Sequence, residues 1–312
     1  MNTCHLYAVF GNPVLHSRSP QIFNNAFLST EYNAFYTRVR VNNAHDIAPL
    51  IIRLGISGAN ITTPFKESII PHLHSISEEA RIIGSVNTVV NRDGILCGYN
   101  TDHKGVTGSL SEAGINPSGM NCLVLGTGGA GMAAVFGLVN GGARVTIAGR
   151  NHKKTNRIAS AFGCLASDIN AASASLSEFG LIVSALLPDA LPIEGMRLPK
   201  DIVILDANYR ESRISRLAGS SGSRLINGSR WLLHQAAESY RVFTGTDPDM
   251  AAMESGYAII LNHKYLNIQS LSKENNGISI SPECDMIIYS DNFDPSEQTK
   301  IINEEKNKAL CC

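Results

Sequence analysis

The sequence predicts an α/β protein of two domains, an N-terminal α/β domain followed by a doubly wound parallel sheet. Three observations predict it. Apolar strand-like runs alternate with segments of helical period along most of the chain, the pattern of sheets covered by helices. At 312 residues the chain is long enough for two domains of ~150 residues each. The texture changes near Asp102: short strands joined by polar loops give way to long apolar runs around a glycine-dense loop.

In the first half, "LYAVFG" is a short apolar strand closed by Gly11. "SPQIFNNAFLS" follows, with Ile22 and Ala26 at helical spacing, and Ser19 and Pro20 stand where an N-cap and a first-turn proline belong. "NAFYTRVRV" alternates and is rich in β-formers, so it predicts a strand. "AHDIAPLIIRLG" predicts a helix ending at Gly55, and "SGANITTP" another strand. "EEARIIGSVNTVVNRDGILCGYNTD" reads as a helix end, a loop, and two strands joined by an Asp-Gly turn.

Beyond Asp102, "HKGVTGSLSEAG" predicts a helix ending at Gly114. "NCLVLGTGGAG", "MAAVFGLVNGG" and "ARVTIAGR" form a strand and glycine loop, a helix, and a second strand. "LIVSALLP" and "DIVILDANY" are further buried strands, the runs expected of a parallel sheet covered on both faces. "WLLHQAAESYRVFTG" and "DMAAMESGYAIILN" are helical. From about Lys264 the chain is polar and net acidic, with one apolar patch, "CDMIIYS", and is expected to be weakly ordered or peripheral. The resulting boundaries are 1–103 for the first domain, completed by about 247–263, then 104–246 for the second and 264–312 for the tail.

Composition narrows the function classes. Hydrophobic residues make up 44% and charged residues 17%, so a large core is available. A formal net charge of −1 gives no global attraction to nucleic acid or to an anionic membrane. The seven cysteines (Cys4, Cys97, Cys122, Cys164, Cys284, Cys311 and Cys312) are odd in number, irregularly spaced and free of any C-x-x-C. That disfavours a disulfide framework or a thiolate metal site and suits a reducing, cytoplasmic setting. "MNTCHLYAVFG" lacks the basic and long apolar regions of a signal peptide. Cys122 to Val139 is uncharged and imitates a membrane span, but its glycines make it a buried strand, loop and helix. His72 and His74 lack the carboxylate or cysteine company of a metal site, so no metal is expected. The oligomeric state, monomer or homodimer, is not readable.

Gly126, Gly128 and Gly131 give G-x-G-x-x-G, with Gly129 and Ala130 between them. The motif is common by itself, but here a strand precedes it, a helix follows and a second strand ends at Ala148 to Arg150. That is the βαβ unit of a Rossmann-like dinucleotide site. Glycines allow backbone to approach a pyrophosphate, and the helix N-terminus offers N–H groups and positive dipole to it. At the end of the second strand a carboxylate would hold the ribose hydroxyl of NAD, whereas an arginine accommodates the phosphate of NADP. The stretch reads "AGRNHKK", with no carboxylate. Arg150 can grip a phosphate with its planar fork, Asn151 can add a hydrogen bond, and Lys153 and Lys154 follow one turn on. NADP is therefore the expected cofactor.

Four polar fragments sit at the ends of apolar strands: "HSRSP" (16–20), "NITTPFK" (60–66), "SVNTV" (85–89) and "YNTD" (99–102). Loops of this kind converge on crevices in α/β folds. Ser17, Ser19, Asn60, Thr62, Asn87 and Thr88 supply hydroxyls and amides, and Lys66 with Asp102 offers a charged pair. Such a set suits a small, polyhydroxylated, anionic ligand. In order and separation, these fragments, the G-T-G-G-A-G loop and Q-A-A at 235–237 resemble the shikimate dehydrogenase family over roughly residues 5–262.

The resemblance implies reduction of 3-dehydroshikimate to shikimate with NADPH, in aromatic amino-acid biosynthesis. It implies that Ser17 and Ser19 bind the substrate carboxylate, that Thr62, Asn87, Asp102, Tyr209 and Gln235 contact its hydroxyls or carboxylate, and that Asn60 supports the loop. Lys66 and Asp102 would be the catalytic pair. The chemistry agrees: hydride arriving at a carbonyl carbon leaves negative charge on oxygen, which an ammonium stabilises and protonates. Two α/β domains with a cleft between them are expected.

The match departs in places. The Asn-Arg-Thr triplet usual at the end of the second cofactor-domain strand is Gly149-Arg150-Asn151, "SALLPDALP" replaces an Asn-Thr-Thr-rich loop, and Trp231 stands where a methionine often packs near the nicotinamide. Trp231 would shield that ring, crowd it, or pack in the core. Two other readings compete: a relative acting on quinate, and a dinucleotide-binding regulatory protein without turnover. Membership of a multifunctional protein, with the tail as linker, is also compatible with the composition.

Overall fold

The structure is a computed structural model that describes residues 4–190 and 198–259, with the backbone of 262–267 and 284–289. The chain forms two compact units. One comprises Met1–Ile82, Val86–Tyr99 and Ala236–Cys312, the other Ile83–Ser85 and Asn100–Gln235. The units part at 99/100 and 235/236, where the sequence boundaries stood at 103/104 and 246/247. The second handover falls inside one continuous helix, Gly228–Thr244, where no proline or glycine marks it.

The first unit is built on a mixed sheet. Its strands are β1 (His5–Gly11), β2 (Ala34–Arg40), β3 (Ile56–Ile61), β4 (Ser75–Ile76), β5 (Thr88–Arg92) and β6 (Ile95–Tyr99). The order is β2-β1-β3-β5-β6-β4, and backbone strands β13 (Asn262–Asn267) and β14 (Cys284–Tyr289) extend the β2 edge. β1 lies parallel to β2 and β3, whereas β5 runs antiparallel to β3 and β6. The expected Asp-Gly hairpin is present, with Asp93 and Gly94 both at positive φ, as a tight two-residue β-turn requires. β4, only two residues long, had no pattern by which to announce itself.

β1 is apolar after His5 because both its faces are covered. Ala8 and Phe10 enter a core with Val39, Ile47, Ile51, Ile56, Ile61 and Phe65. Tyr7 points the other way, into an aromatic layer with Phe27 and Phe243, at ring-centroid distances of 5.3 and 4.9 Å. Helix α1 (Ser19–Ser29) lies on this second face, with Phe23 stacked on Tyr36 at 4.5 Å. Arg18 rather than Ser19 is its N-cap, with no side-chain cap bond, so Ser19 is already helical and its hydroxyl turns to other work. The helix expected over 44–55 is a single 3₁₀ turn leading into α2 (Ile47–Arg53). A short helix α3 (Glu78–Ile83) precedes β5.

The second unit holds α4 (Asp102–Glu112) and a six-stranded sheet. The strands are β7 (Asn121–Leu125), β8 (Arg144–Ala148), β9 (Leu165–Ser167), β10 (Leu181–Ser184), β11 (Val203–Asp206) and β12 (Arg224–Ile226). All neighbours pair in parallel, in the order β12-β11-β10-β7-β8-β9. Numbered from β7, this is the doubly wound order whose reversal, between β7 and β10, opens a ligand crevice at the strands' carboxyl ends. The helices are α5 (Gly129–Asn140), α6 (His152–Phe162), α7 (Ile169–Ala174), α8 (Arg213–Ser221) and α9 (Gly228–Thr244). The uncharged stretch from Cys122 resolves into β7, a loop and the twelve-residue α5, and among the described residues no helix is long and apolar enough to cross a membrane.

α10 (Met250–Tyr257) packs on α1 in the first unit, where Asn25 Nδ2 donates to the Ala252 carbonyl at 2.6 Å. This helix was expected to run on through 262 but ends at Tyr257. The expectation of a weakly ordered tail falls mostly outside the described residues.

Candidate active site

"NITTPFK" continues directly from the buried end of β3. Thr62 N–H donates to Phe10 O at 2.9 Å, which extends the β1–β3 pairing by one step. Phe65 N–H then returns to Thr62 O at 2.9 Å, and the Phe65 ring enters the core at 5% exposure. The ring anchors the turn, so the next residue must leave the core. Lys66 is that residue, half-buried, its carbonyl fixed by Val86 N–H at 2.8 Å. The same bond brings the 85–89 segment alongside, and Ile61 N–H donates to Asn87 O at 2.8 Å.

Beneath the turn lies a buried polar network that the sequence showed only in part. The Asn60 Nδ2, with two hydrogens to donate, lies within hydrogen-bond reach of three acceptors, Asn87 O (3.1 Å), Thr88 Oγ1 (3.1 Å) and Ser239 Oγ (3.0 Å). Its Oδ1 accepts the Tyr36 hydroxyl at 2.6 Å. Thr88 Oγ1 donates to Asn87 Oδ1 at 3.1 Å and lies 2.8 Å from Ser239 Oγ. Asn60, Asn87, Thr88, Tyr36 and Ser239 are all buried, so each bond also removes a desolvation cost. Burial pushes the Tyr36 phenol well above its usual range, against the opposing pull of Asn60, Ser19 and Arg38, so it is a neutral donor. Tyr36 and Ser239 escaped the sequence reading because one lies in an ordinary strand pattern and the other far along the chain, in α9.

Ser17 and Ser19 stand at the carboxyl end of β1, before and inside the first turn of α1. Ser17 Oγ donates to Ser19 Oγ at 3.3 Å and accepts the Ser19 N–H at 3.4 Å. Both are largely buried, at 9% and 5% exposure. Behind them, the Arg38 guanidinium donates from Nε to Ser17 O at 3.1 Å and from Nη2 to the same oxygen, and Nη2 also reaches Gln21 Oε1 at 2.9 Å. Arg38 is 1% exposed and was read only as part of a strand. The signal was its parity: Arg38 lies two residues from Tyr36, on the same face of β2.

In the second unit, Asp102 is the first residue of α4 and is 4% exposed. Its N–H donates to Asn100 Oδ1 at 3.1 Å, and Asn100 Nδ2 in turn donates to the Ser85 carbonyl and hydroxyl, both at 2.9 Å. The carboxylate therefore sits at the positive end of a helix on a fixed backbone. Tyr209 rides a loop pinned by the buried carboxylate of Asp206, which accepts Ser212 Oγ–H at 2.5 Å, Asn208 N–H at 3.1 Å and Asn208 Nδ2 at 2.9 Å. Burial pushes the Asp206 carboxyl up, and the bonds from Ser212 and Asn208 pull against it. Gln235, near the middle of α9, is 9% exposed and donates to Leu232 O at 3.0 Å. Trp231 is 4% exposed and belongs to the core of this unit. A Cβ at Gly105 would meet its indole at 2.3 Å, so α4 and α9 approach closely there.

The glycine loop fits a dinucleotide. Gly126 holds φ +113°, and a Cβ on Gly131 would stand 2.0 Å from the Gly126 carbonyl, so the turn excludes side chains at both positions. A Cβ at Gly128, the N-cap of α5, would meet nothing within 4 Å, which leaves open space over a helix start that has no side-chain cap. Gly129 and Ala130 open that helix. Arg150 is exposed just past β8. Asn151 caps α6, its Oδ1 accepting Lys154 N–H at 3.0 Å, so its carbonyl oxygen is committed to the helix.

Of the two histidines His72 and His74, the second has a plain structural role. His74 Nδ1 accepts Leu96 N–H at 3.0 Å. Among the described residues no cluster of three or more His, Cys, Asp or Glu could hold a metal. Cys122 is buried in β7 and desolvation pushes its thiol up to about 12, which leaves it unreactive.

Comparison with known proteins bears on the family. The family model for the shikimate dehydrogenase substrate binding domain matches residues 9–89. A shikimate dehydrogenase (NADP(+)) of Halobacterium salinarum is 36% identical over 261 residues, covering 80% of this chain and 97% of that protein. The crystal structure of shikimate dehydrogenase from Aquifex aeolicus superposes with a TM-score of 0.77 at 30% identity, over 82% of this chain and 98% of its own. Shikimate 5-dehydrogenase of Thermus thermophilus, solved in complex with NADP(H) and shikimate, gives 0.74 at 32% identity over 81% and 98%. With that identity across nearly the whole of its relatives, and with the same two-sheet architecture, this chain belongs to the shikimate dehydrogenase family.

Proposed function

We propose that the chain catalyses the reversible, NADP-dependent reduction of 3-dehydroshikimate to shikimate, with Lys66 as acid–base residue and Asp102 as its acidic partner in the chemistry. The observation that carries the reading is Lys66 itself: an amine on a turn anchored by Phe65 and Val86, above a fully bonded floor of Asn60, Asn87 and Thr88. A rigid floor lets a flexible stem present its ammonium at one place.

NADPH, when bound, supplies the hydride. As that hydride reaches the ring carbonyl carbon, the carbonyl oxygen gains negative charge, and Lys66 Nζ donates the proton that completes the alcohol. In the oxidising direction the amine takes it back. Asp102 accepts a hydrogen bond from a ring hydroxyl and so fixes the ring's orientation. In this reading Ser17 and Ser19 hold the substrate carboxylate, while Thr62, Asn87, Tyr209 and Gln235 contact its remaining polar groups. In this reading the first unit, most of the chain up to Tyr99 with the segment from Ala236 on, is the substrate domain, a role supported by the match over 9–89. The second unit takes the dinucleotide on Gly126, Gly128, Gly129, Ala130 and Gly131, with Arg150, Asn151 and Lys154 toward its 2′-phosphate. The ligands are small molecules rather than nucleic acid or membrane, and the setting is cytoplasmic, consistent with the odd number and irregular spacing of the cysteines.

The test is the initial rate of 3-dehydroshikimate reduction with NADPH and with NADH, followed by oxidation of shikimate and of quinate. The expected outcome is rapid NADPH consumption, slower reaction with NADH, and a higher kcat/KM for shikimate than for quinate. NADPH binding without any turnover would defeat the enzymatic reading.

A further inference from the structure

Tyr36 is a fully buried phenol on β2 that three separate contacts hold in place. Asn24 of α1 takes its main chain as a neighbouring strand would: Tyr36 N–H donates to Asn24 Oδ1 at 2.7 Å, and Asn24 Nδ2 donates back to Tyr36 O at 3.0 Å. Phe23, the residue before Asn24, lies flat against the ring, with centroids 4.5 Å apart and planes 15° from parallel. The hydroxyl then leaves β2 altogether. It donates to Asn60 Oδ1 on β3 at 2.6 Å, and since β1 lies between β2 and β3, the phenol spans a whole strand. The direction of that bond is forced. Asn60 Nδ2 stands 3.1 Å from the Asn87 carbonyl, which can only accept, so the amide oxygen turns to Tyr36 and the phenol must donate. Packing alone would be met by phenylalanine, as it is at Phe23 and Phe27 in the same layer. A hydroxyl at 0% exposure adds a desolvation cost that only a bond offsets.

The two elements that Tyr36 joins carry the two ends of the candidate site. On α1, Ser19 lies one helical turn before Phe23, on the side that meets Tyr36, and Ser17 immediately precedes the helix. On β3, Asn60 leads through Ile61 straight into the turn that bears Thr62 and Lys66. The loops also meet through main chain, where Asn12 N–H donates to Thr63 O at 3.1 Å. That bond sets backbone against backbone. The phenol instead ties the body of α1 to the amide that underlies the Lys66 turn. We propose that Tyr36 is a positioning residue, a buried spacer that keeps the Ser17–Ser19 pair and the Lys66 turn at the separation of the carboxylate and the reacting oxygen in one substrate ring. The inference rests on the reading that Ser17 and Ser19 hold the substrate carboxylate.

The experiment measures shikimate oxidation with kcat expressed per NADP⁺-binding site, so that unfolded enzyme drops out of the count. Tyr36→Phe keeps the ring and the Asn24 bonds and removes only the tie to Asn60. It is expected to lower kcat per site about tenfold, with KM for shikimate and for NADP⁺ each changing less than about threefold. A role confined to stability would leave kcat per site unchanged, and a value within about threefold of wild type overturns the proposal. The second arm removes the carboxylate clamp with Ser17→Ala and Ser19→Ala together. No separation is then left to hold, so adding Tyr36→Phe should change kcat/KM less than about threefold. A full tenfold loss in that background as well would make Tyr36 a support of the Lys66 turn alone and would overturn the spacing. Where the clampless enzyme is too slow to measure, or Tyr36→Phe does not fold, Asn24→Ala decides. It frees α1 from the Tyr36 main chain and leaves the bond to Asn60 intact. A comparable fall in kcat per site supports the spacing, and a value within about threefold of wild type overturns it. A clampless enzyme with the wild-type kcat/KM would bring down the carboxylate reading instead, and this inference with it.

Discussion

A lysine becomes useful when its neighbours are immobile. Phe65 is committed to the core and the Lys66 carbonyl to Val86, so the only freedom left at this position is in the side chain. Replacing it with alanine should leave the turn intact, because the backbone bonds of Thr62, Phe65 and Val86 hold it. Lys66→Ala is expected to lower kcat about 10²–10⁴-fold, the usual size of an acid–base contribution, with the KM for NADP⁺ little changed. A mutant within threefold of wild type in steady-state kcat would remove Lys66 from the chemistry. Thr62 and Lys66 belong to one short turn, yet the buried Asn60 beside them has a different task. Its oxygen takes the Tyr36 hydroxyl, its nitrogen faces Asn87, Thr88 and Ser239, and together they hold the floor.

Between elements, the second unit depends on how α4 meets α9. Asp102 starts α4, Gln235 lies on α9, and Gly105 against Trp231 brings the helices close. Farther along, Glu112 of α4 receives Arg230 Nε at 2.7 Å, Arg230 Nη2 as well, and His234 Nε2 at 3.0 Å from α9. Arg230 does most to hold the Glu112 carboxyl below its ordinary value of 4.5; partial desolvation opposes this and His234 assists it. A lowered folded value means that the unfolded chain binds the proton first as pH falls. The stability contributed by ionised Glu112 is therefore complete above about 4.5 and is lost as pH drops through the lower folded value. The group is 42% exposed, so solvent screens it. Glu112→Gln should cost at most about 1 kcal/mol at neutral pH. In urea titrations the mutant and wild-type curves should converge in acid, and a gap that persists there would assign the effect to packing instead.

At the scale of the whole molecule, the sheet order of the second unit matters most. The reversal between β7 and β10 places the glycine loop, which follows β7, at the switch point, and β8 delivers Arg150 past its end. A cofactor that binds the folded chain alone stabilises it by mass action, about 2.7 kcal/mol at one hundred times Kd. NADP⁺ should therefore raise Tm clearly more than NAD⁺ at equal concentration, and Arg150→Ala should remove most of the difference. Equal shifts from both dinucleotides in the wild type would sink the assignment of Arg150 to a 2′-phosphate.

Much of this was legible in the residues alone, because it depends on local spacing. Alternation and helical period gave the long strands and helices, Asp93-Gly94 gave the hairpin, and G-x-G-x-x-G between two strands gave the tight glycine turn into α5. Short elements such as β4, β9 and β12 carry too few residues for a period and take their shape from the sheet edges they complete. The sequence could name Ser17, Ser19, Asn60 and Lys66, since each falls in a polar break at the end of an apolar run. Only the tertiary structure decided that Arg38 stands buried behind the serines, that Ser239 closes the network around Asn60, and that Trp231 is core. Those facts depend on partners far apart in the chain, and hydrogen bonding and burial between distant segments leave no period for a sequence to display.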